Sequence, residues 1–353
     1  MNRLHLKEAI RLVKQKSLDA LLFTTGSDIF YLTGFNGDAG RLILTAGGEP
    51  LFFTNSLYKD AAVKIKGWTV FAEKRPQSAQ IADALTKRRI KNLGFDPNAL
   101  TVTEHKNLGD KLNTVNIRLV DAKNPLRVLR SIKSPSEVKA IKDALAITIE
   151  AVEYAREAKT DTTTEQGLSV EIDRFMRLKG DNSLAFPTIV AAGRNSAFPH
   201  HSPSAKVISN ELFLTDLGAK RYGYCADLTR VSFSGKMPQL FHKVYTIVKK
   251  AQEIAIAKIK PGVKCSEIDK IARQFIEKHG YGKYFTHGLG HGVGLDVHEM
   301  PLLNAASQDI LKEGMVVTVE PGIYLNNRFG VRIEDMVLVK PGKAELLSGA
   351  YQE

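Results

Sequence analysis

The chain has 353 residues, 50 Lys and Arg against 38 Asp and Glu, a formal charge of +12 and an isoelectric point near 9.5. That length accommodates two domains with cores of their own, and the basic residues are dispersed among acids without a basic tail, zinc-finger spacing or RNA-binding aromatic signature, so no nucleic-acid partner is expected. Two cysteines, Cys225 and Cys265, give no disulfide framework, no apolar run reaches membrane-spanning length and Met1 to Glu8 lacks the apolar core of a signal peptide, so the expected location is cytoplasmic, with no membrane partner.

Leu6, Ala9, Ile10 and Val13 fall at helical spacing and predict an opening amphipathic helix, followed by a buried strand from Ala20 to Thr24. Arg41 to Thr45 and Pro50 to Thr54, split by Gly47-Gly48-Glu49, predict a hairpin. Strand and helix signals alternate to about Asp121, so residues 1–125 are expected to form an α/β domain with a mixed sheet. A polar linker through Asn124-Pro125 leads into residues 126–353. There Ser134-Pro135-Ser136-Glu137 supplies an N-cap serine, a proline at the first helical position and a capping-box glutamate, and Val138, Ile141, Leu145 and Val152 continue a long helix. A second helix is predicted from about Thr164 to Leu178, stopped by Gly180. After a hairpin the order recurs, with helices from about Pro238 to Lys260 and from about Ser266 to His279, stopped by Pro261-Gly262 and Gly280, and then a second hairpin.

The hairpins carry the acids. Asp216 ends the apolar run Leu212-Phe213-Leu214-Thr215, and Asp227 lies within Tyr224-Cys225-Ala226-Asp227-Leu228-Thr229, so both are predicted in strand interiors on either side of a turn at Lys220-Arg221-Tyr222-Gly223. Glu320 follows Val316-Val317-Thr318-Val319, and Glu334 lies within Val331-Arg332-Ile333-Glu334-Asp335-Met336-Val337. Asp216 and Glu320 each have a glycine two residues on, Gly218 and Gly322, and Asp227 and Glu334 each have one four residues back, Gly223 and Gly330. Such self-similarity indicates a duplication. Four carboxylates on sheet interiors repel one another and are costly to desolvate unless a cation neutralises them.

His291 adds an imidazole from the glycine-studded run Thr286 to Glu299, which also holds His287 and His298. Its glycines suit a backbone that must approach a ligand closely. Oxygen donors with a single nitrogen favour Mn, Co or Fe over a structural zinc site, and a pair of such ions can activate water and polarise a carbonyl, which is hydrolytic chemistry. Cys225 shares strand parity with Asp227 but reads as a buried inert thiol. Asp296, Glu299 and Asp335 read as local hydrogen-bonding groups, and His5, His105, His242 and His279 as surface or capping residues.

Together, Asp216-Leu217-Gly218-Ala219, Asp227-Leu228-Thr229-Arg230, the stretch from His287 to Glu299, Glu320-Pro321-Gly322-Ile323-Tyr324 and Arg332-Ile333-Glu334-Asp335 resemble the Xaa-Pro peptidases, aminopeptidase P and prolidase, of the pita-bread metallopeptidase superfamily. The resemblance covers nearly the whole chain. It implies an amino-terminal creatinase/prolidase-like α/β domain followed by a pseudo-duplicated pita-bread catalytic domain, an α+β arrangement. It implies two divalent metal ions, Mn first with Co, Fe or Zn as alternatives, bridged by Asp227 and Glu334, with Asp216 on one ion and His291 and Glu320 on the other.

Short proline-containing peptides are then the expected partners, and relatives suggest a homodimer or higher homo-oligomer. An Xaa-Pro bond is a tertiary amide with no N–H and a ring-restricted backbone, which calls for a dedicated pocket. By resemblance, Glu320 would carry the proton from water to the leaving nitrogen, His298 would stabilise the oxyanion, and His200 would contact the substrate backbone or carboxylate, with His201 as its alternative. His287 would shape the pocket, and Arg332 would orient the carboxylates or neutralise them. His287-Gly288-Leu289 with Gly294-Leu295-Asp296-Val297-His298 resembles aminopeptidase P. Some prolidases hold a dipeptide's carboxylate with an arginine shortly after the His-Glu-aromatic-Pro run, and Met300-Pro301-Leu302-Leu303 offers none. The expectation is therefore an Xaa-Pro aminopeptidase, with an Xaa-Pro dipeptidase as the alternative. A non-catalytic peptide-binding pita-bread module would be expected to have lost ligands that are all retained here.

Overall fold

The computed structural model describes residues 3–16, 18–73, 76–209, 211–233 and 237–349; Met1 and Asn2, which open the segment read for a leader, lie outside them. The chain divides into two compact units, Met1–Arg130 and Ser131–Glu353. Among the described residues no helix is long and apolar enough to cross a membrane.

The first unit comprises α1 (Arg3–Lys14), β1 (Ala20–Phe23), α2 (Gly26–Thr33), β2 (Gly40–Thr45), β3 (Pro50–Thr54), α3 (Lys59–Ala62), β4 (Thr69–Ala72), α4 (Gln77–Lys87), β5 (Asn92–Phe95), α5 (Val102–Asn113) and β6 (Arg118–Asp121), with α6 (Leu126–Ser131) closing it. The sheet is mixed, as expected: its order is β4-β3-β2-β1-β5-β6, with β3-β2-β1 antiparallel and β4, β5 and β6 added in parallel. Leu22, Ile43, Leu51 and Phe53 meet Ile81, Leu85, Leu108 and Leu112 of α4 and α5 in one core.

The segment read as a polar linker is tied down. Asn124 is buried and its Nδ2 donates to Asp28 Oδ2 at 2.6 Å, while Arg130 Nη1 meets Asp28 Oδ1 at 3.0 Å. Asp28 is 1 % exposed. This buried ion pair carries the unit past residue 125, because a guanidinium and carboxylate removed from water must stay paired.

The second unit repeats itself. Its first half holds α7 (Pro135–Ala158), α8 (Glu165–Lys179), β7 (Ile189–Ala192), β8 (Leu212–Leu217), β9 (Lys220–Arg221), β10 (Tyr224–Cys225) and β11 (Leu228–Phe233). The second holds α9 (Gln239–Ile256), α10 (Cys265–Lys278), β12 (Gly290–Gly292), β13 (Glu299–Leu303), β14 (Val316–Val319), β15 (Gly322–Leu325), β16 (Phe329–Arg332), β17 (Asp335–Leu338) and β18 (Glu345–Leu346). The capping box that starts α7 is present, with the Ser134 N–H donating to Glu137 Oε2 at 2.8 Å. The repeat extends to single bonds. Thr164 bridges Val207 ahead of α8 as Lys264 bridges Ile310 ahead of α10, and Ile208 N donates to Thr163 O as Leu311 N donates to Val263 O.

Each half has its own helix pair and core, and the strands lie between. Ile141, Leu145, Leu168, Ile172 and Met176 form one cluster with Phe213, while Val244, Val248, Ile268, Ala272 and Ile276 form the other with Leu212 and Leu214. Strand β8 therefore buries both faces, which is why its sequence is an apolar run rather than an alternation. Removing Asp28 would take from the buried Arg130 guanidinium the carboxylate it meets at 3.0 Å in the first unit. The substitution Asp28→Ala should cost that unit about 3–5 kcal/mol, read as a lower denaturant midpoint for unfolding of Met1–Arg130 while the midpoint of Ser131–Glu353 holds.

Candidate metal centre

Duplication places three of the four acids at breaks in the sheets. In the first half an outer ladder pairs β8 with β11 and an inner one pairs β9 with β10; in the second, β14 pairs with β17 and β15 with β16. Asp216 lies in β8 opposite Thr229, as predicted. Asp227 does not lie in a strand interior: it falls between β10 and β11, and Glu320 and Glu334 likewise fall between the outer and inner ladders of their hairpin. At a break the side chain escapes the strict in-and-out alternation of a strand, so residues from both halves can converge.

They converge closely. Candidate ligand atoms of Asp216, Asp227 and Glu334 lie within 4.8 Å of one another, as do those of His291, Glu320 and Glu334, and those of Asp227, His291 and His298. Glu334, Asp227 and His291 each belong to two of these groups. His291 Nε2 lies 3.2 Å from Glu320 Oε1 and 3.6 Å from Asp227 Oδ2. His291 is reached through β12, where a Cβ on Gly290 would collide with the Thr318 carbonyl and one on Gly292 with the Met300 carbonyl. These glycines admit the backbones of neighbouring strands, and Gly290 with Gly288 also lines the cavity beside the cluster.

The surrounding bonds orient the acids. Arg332 donates from Nη2 to Asp216 Oδ2 at 2.5 Å, from Nη1 to Tyr324 OH at 2.9 Å and Pro199 O at 3.2 Å, and from Nε to Thr229 Oγ1 at 3.1 Å. Thr229 in turn donates to Glu334 Oε2 at 2.7 Å, and Thr318 to Glu320 Oε1 at 3.2 Å. Gln252 of α9 donates to Val319 O at 3.0 Å and Ile333 O at 3.1 Å, satisfying the carbonyls beside Glu320 and Glu334. Its counterpart on α7, Thr148, accepts from Ala219 N at 3.0 Å. Sequence reading missed Thr229, Thr318, Gln252 and Thr148. Their signal was a polar residue at strand parity with an acid, or alone on an apolar helix face such as Val248, Ala251 and Ala255.

Two buried carboxylates, Asp227 and Glu334, and two half-buried ones, Asp216 and Glu320, face one guanidinium. Burial, and then Glu334, Asp216 and Glu320, push Asp227 well above the usual carboxylate range; burial, and then Glu320 and Asp216, do the same to Glu334. Burial also raises Asp216, although Arg332 opposes it. Burial is the largest influence on Glu320 and would raise it too, but the hydrogen bond and charge of His291, with His287 and Arg332, together outweigh it and its pKa falls. Desolvation lowers His287 and His298 and pushes the Tyr324 phenol up to about 12, so Tyr324 stays protonated between His287 Nε2, at 2.8 Å, and Arg332. Asp216 Oδ1 and Glu334 Oε1 are buried without a hydrogen-bond partner. Orphaned carboxylate oxygens aimed into an acid cluster with one imidazole suit divalent cations that accept oxygen and nitrogen donors.

The cluster floors a cavity of about 550 Å³ that His200, His287, His298 and Leu302 also line. His298 comes nearer the ligand group than a substrate contact requires, its ring 4.3 Å from that of His291. The adjacent histidines part company: His200 is exposed at the cavity, whereas His201 Nε2 donates to the buried Glu165 at 2.8 Å. Glu299 accepts from the buried Lys133 at 2.8 Å, and Asp335 accepts from Arg230 Nη2 at 2.7 Å, so both hold neighbouring segments. Cys225 is buried with Sγ 3.5 Å from Leu295 O and enters none of the three groups.

Comparison with known proteins places this geometry. Residues 139–341 match metallopeptidase family M24, and residues 5–132 match the creatinase/prolidase N-terminal domain. The chain is 35 % identical to an Xaa-Pro dipeptidase of Pyrococcus horikoshii over 98 % of its own length and 97 % of the relative's. Solved structures similar to it include an Xaa-Pro dipeptidase from Bacillus anthracis, with a TM-score of 0.93, 32 % identity and coverage of 99 % of this chain and 98 % of that one. An X-Pro aminopeptidase from Thermotoga maritima superposes with a TM-score of 0.87 at 30 % identity, covering 97 % of each chain.

The raised carboxylates set a pH dependence. Between the ordinary carboxylate range and their raised values, folded Asp227 and Glu334 hold protons that the unfolded chain has lost, so their contribution to stability falls as pH rises through that window. A cation that keeps them ionised removes this loss. The gap in thermal midpoint between Mn-loaded and chelator-treated protein should therefore widen as pH rises from about 4 towards neutrality. Scanning calorimetry across that range checks it, and a gap independent of pH would contradict it.

Proposed function

Since this chain belongs to metallopeptidase family M24 and carries the creatinase/prolidase N-terminal domain, we propose that it is an Xaa-Pro dipeptidase working with two divalent metal ions, Mn first among them. Metallo-exopeptidase cleavage of Xaa-Pro bonds is the activity that the family match and the Xaa-Pro dipeptidase relatives support together. The observation that carries the finer reading is the double membership of the carboxylates Asp227 and Glu334 in the ligand groups: with two oxygens apiece they would serve two ions, whereas His291, which shares that membership, turns Nδ1 to Gly292 O at 3.2 Å and presents only Nε2 to the acids. Asp216 completes one end, and His291 and Glu320 the other.

The dipeptidase reading replaces the aminopeptidase expected from the missing arginine. It is supported by the Xaa-Pro dipeptidases of P. horikoshii and B. anthracis, which match over almost their full lengths. A cavity of about 550 Å³ is of a size to enclose a small ligand. His200, exposed at its rim, can donate to the carboxylate of a bound dipeptide in place of the missing arginine. A second reading, Xaa-Pro aminopeptidase, is favoured by Leu302: it is 46 % exposed beside the same cavity, and an uncharged rim tolerates a chain that continues past proline.

Bound divalent cations would supply the Lewis acidity that polarises the scissile carbonyl and makes water a nucleophile near neutral pH. This chain's residues do the rest. Glu320, whose carboxylate His291 keeps ionised, takes a proton from the attacking water and delivers it to the proline nitrogen, which has none of its own. His298 donates to the developing oxyanion. Arg332 holds Asp216 in place while its Nη1 fixes Pro199 beside His200. His287, anchored on Tyr324, forms part of the wall.

Metal-free and Mn-reconstituted protein should be assayed on Xaa-Pro dipeptides and Xaa-Pro-Xaa tripeptides. Metal-dependent hydrolysis favouring the dipeptides is expected; favouring the tripeptides would transfer the assignment to aminopeptidase, and inactivity on both would end the reading. The substitution Asp227→Asn should lower bound metal and reduce kcat/KM by about 100-fold or more. Unchanged metal content by elemental analysis would refute its bridging role.

A further inference from the structure

The segment that presents His200 to the cavity has little regular structure of its own: among the described residues between β7 and β8 it holds one 3-10 turn, Gly193–Ala197, and one isolated bridge, at Val207. Its shape comes from one side chain outside the cavity. Glu165, the first residue of α8 and 0 % exposed, accepts at Oε1 from Ala192 N at 2.7 Å and Asn195 Nδ2 at 2.9 Å. At Oε2 it accepts from Ser204 Oγ at 2.6 Å, Ser204 N at 3.0 Å and His201 Nε2 at 2.8 Å. These donors bracket Pro199 and His200 from both sides. They also outweigh the cost of burial, and the Glu165 carboxyl sits below its ordinary range.

The duplication supplies a control. Glu165 N donates to Lys206 O at 2.9 Å, and at the matching place in the second half Cys265 N donates to Asp309 O at 2.9 Å. The helix start and its bridge therefore form equally well with a thiol, and burial pushes that thiol up to about 12, leaving it neutral. Nothing in the scaffold calls for a buried carboxylate. What the first half has in addition is the loop of donors around His200.

We propose that Glu165 is a positioning residue for the Xaa-Pro cleavage assigned above, holding the 192–204 loop so that His200 meets the substrate. It touches neither the candidate metal ligands nor the cavity. Its effect passes through His200, and this step rests on the proposed function.

The test is a double-mutant cycle on metal-loaded protein with Glu165→Gln, His200→Ala and the pair, measuring kcat/KM on an Xaa-Pro dipeptide and metal content by elemental analysis. A glutamine amide offers a donor where the loop presents donors, so Glu165→Gln should lower kcat/KM by about 10–100-fold with bound metal unchanged. Placed on top of His200→Ala it should add almost nothing. Wild-type kcat/KM in Glu165→Gln, or losses that multiply in the double variant, would overturn the proposal. Should Glu165→Gln fail to fold, Ser204→Ala and Asn195→Ala each remove part of the same contacts, and their losses must likewise vanish in the His200→Ala background. If the wild-type protein cleaves no Xaa-Pro peptide, the functional reading falls separately. The anchoring is then read from the His200 ring resonances of histidine-labelled protein, which must shift in Glu165→Gln and which, unshifted, refute it.

Discussion

Like-charge repulsion among Asp216, Asp227, Glu320 and Glu334 is the constraint around which the catalytic unit is arranged. Buried carboxylates in such proximity each push the others towards protonation. The chain offsets this only in part, through Arg332 on Asp216, His291 on Glu320 and the threonine hydroxyl on Glu334. Two carboxylate oxygens are left without partners. A scaffold that leaves such a deficit is shaped for cations, and the same deficit gives the cations their work: a strong local charge in a site partly removed from water.

Holding that cluster requires a frame that does not relax. The two helix pairs provide it, each with its own core, pressing the strands between them so that β8 has no free face. Where the ladders break to release the acids, backbone carbonyls would be stranded, and Gln252 reaches in from α9 to satisfy two of them. Gly290 and Gly292 let β12 approach its neighbours closely enough to bring His291 to the acids. The acid cluster and the packing are therefore linked: strand β8, which carries Asp216, is packed by both cores.

Much of this was legible in order along the chain. The capping box at Ser134, the stop at Gly180, the recurrence of helix pair and hairpin, and the mixed sheet of the first unit all follow from local chemistry: side-chain caps, glycine and apolar periodicity act over a few residues. Grouping Asp216, Asp227, Glu320 and Glu334 by their glycines was possible because a duplication repeats its local constraints. Less visible were residues whose role depends on a distant partner. Asn124 looked like linker until Asp28, nearly a hundred residues earlier, was found against it. His200 and His201 are adjacent in sequence and of one type, and only Glu165 tells them apart, holding His201 while His200 stays exposed.

The amino-acid sequence by itself determined the element order, the duplication and the set of candidate metal-binding side chains, because these rest on periodicity, spacing and residue chemistry. Tertiary structure alone decided that three of the four acids sit at ladder breaks and not in strands. It likewise decided that the glycines beside His291 yield to neighbouring backbones, and that Thr229, Gln252 and Glu165 support the site. Those roles are set by which atoms lie within about 3 Å after long-range packing, and hydrogen bonds at that range leave no periodic trace along the chain.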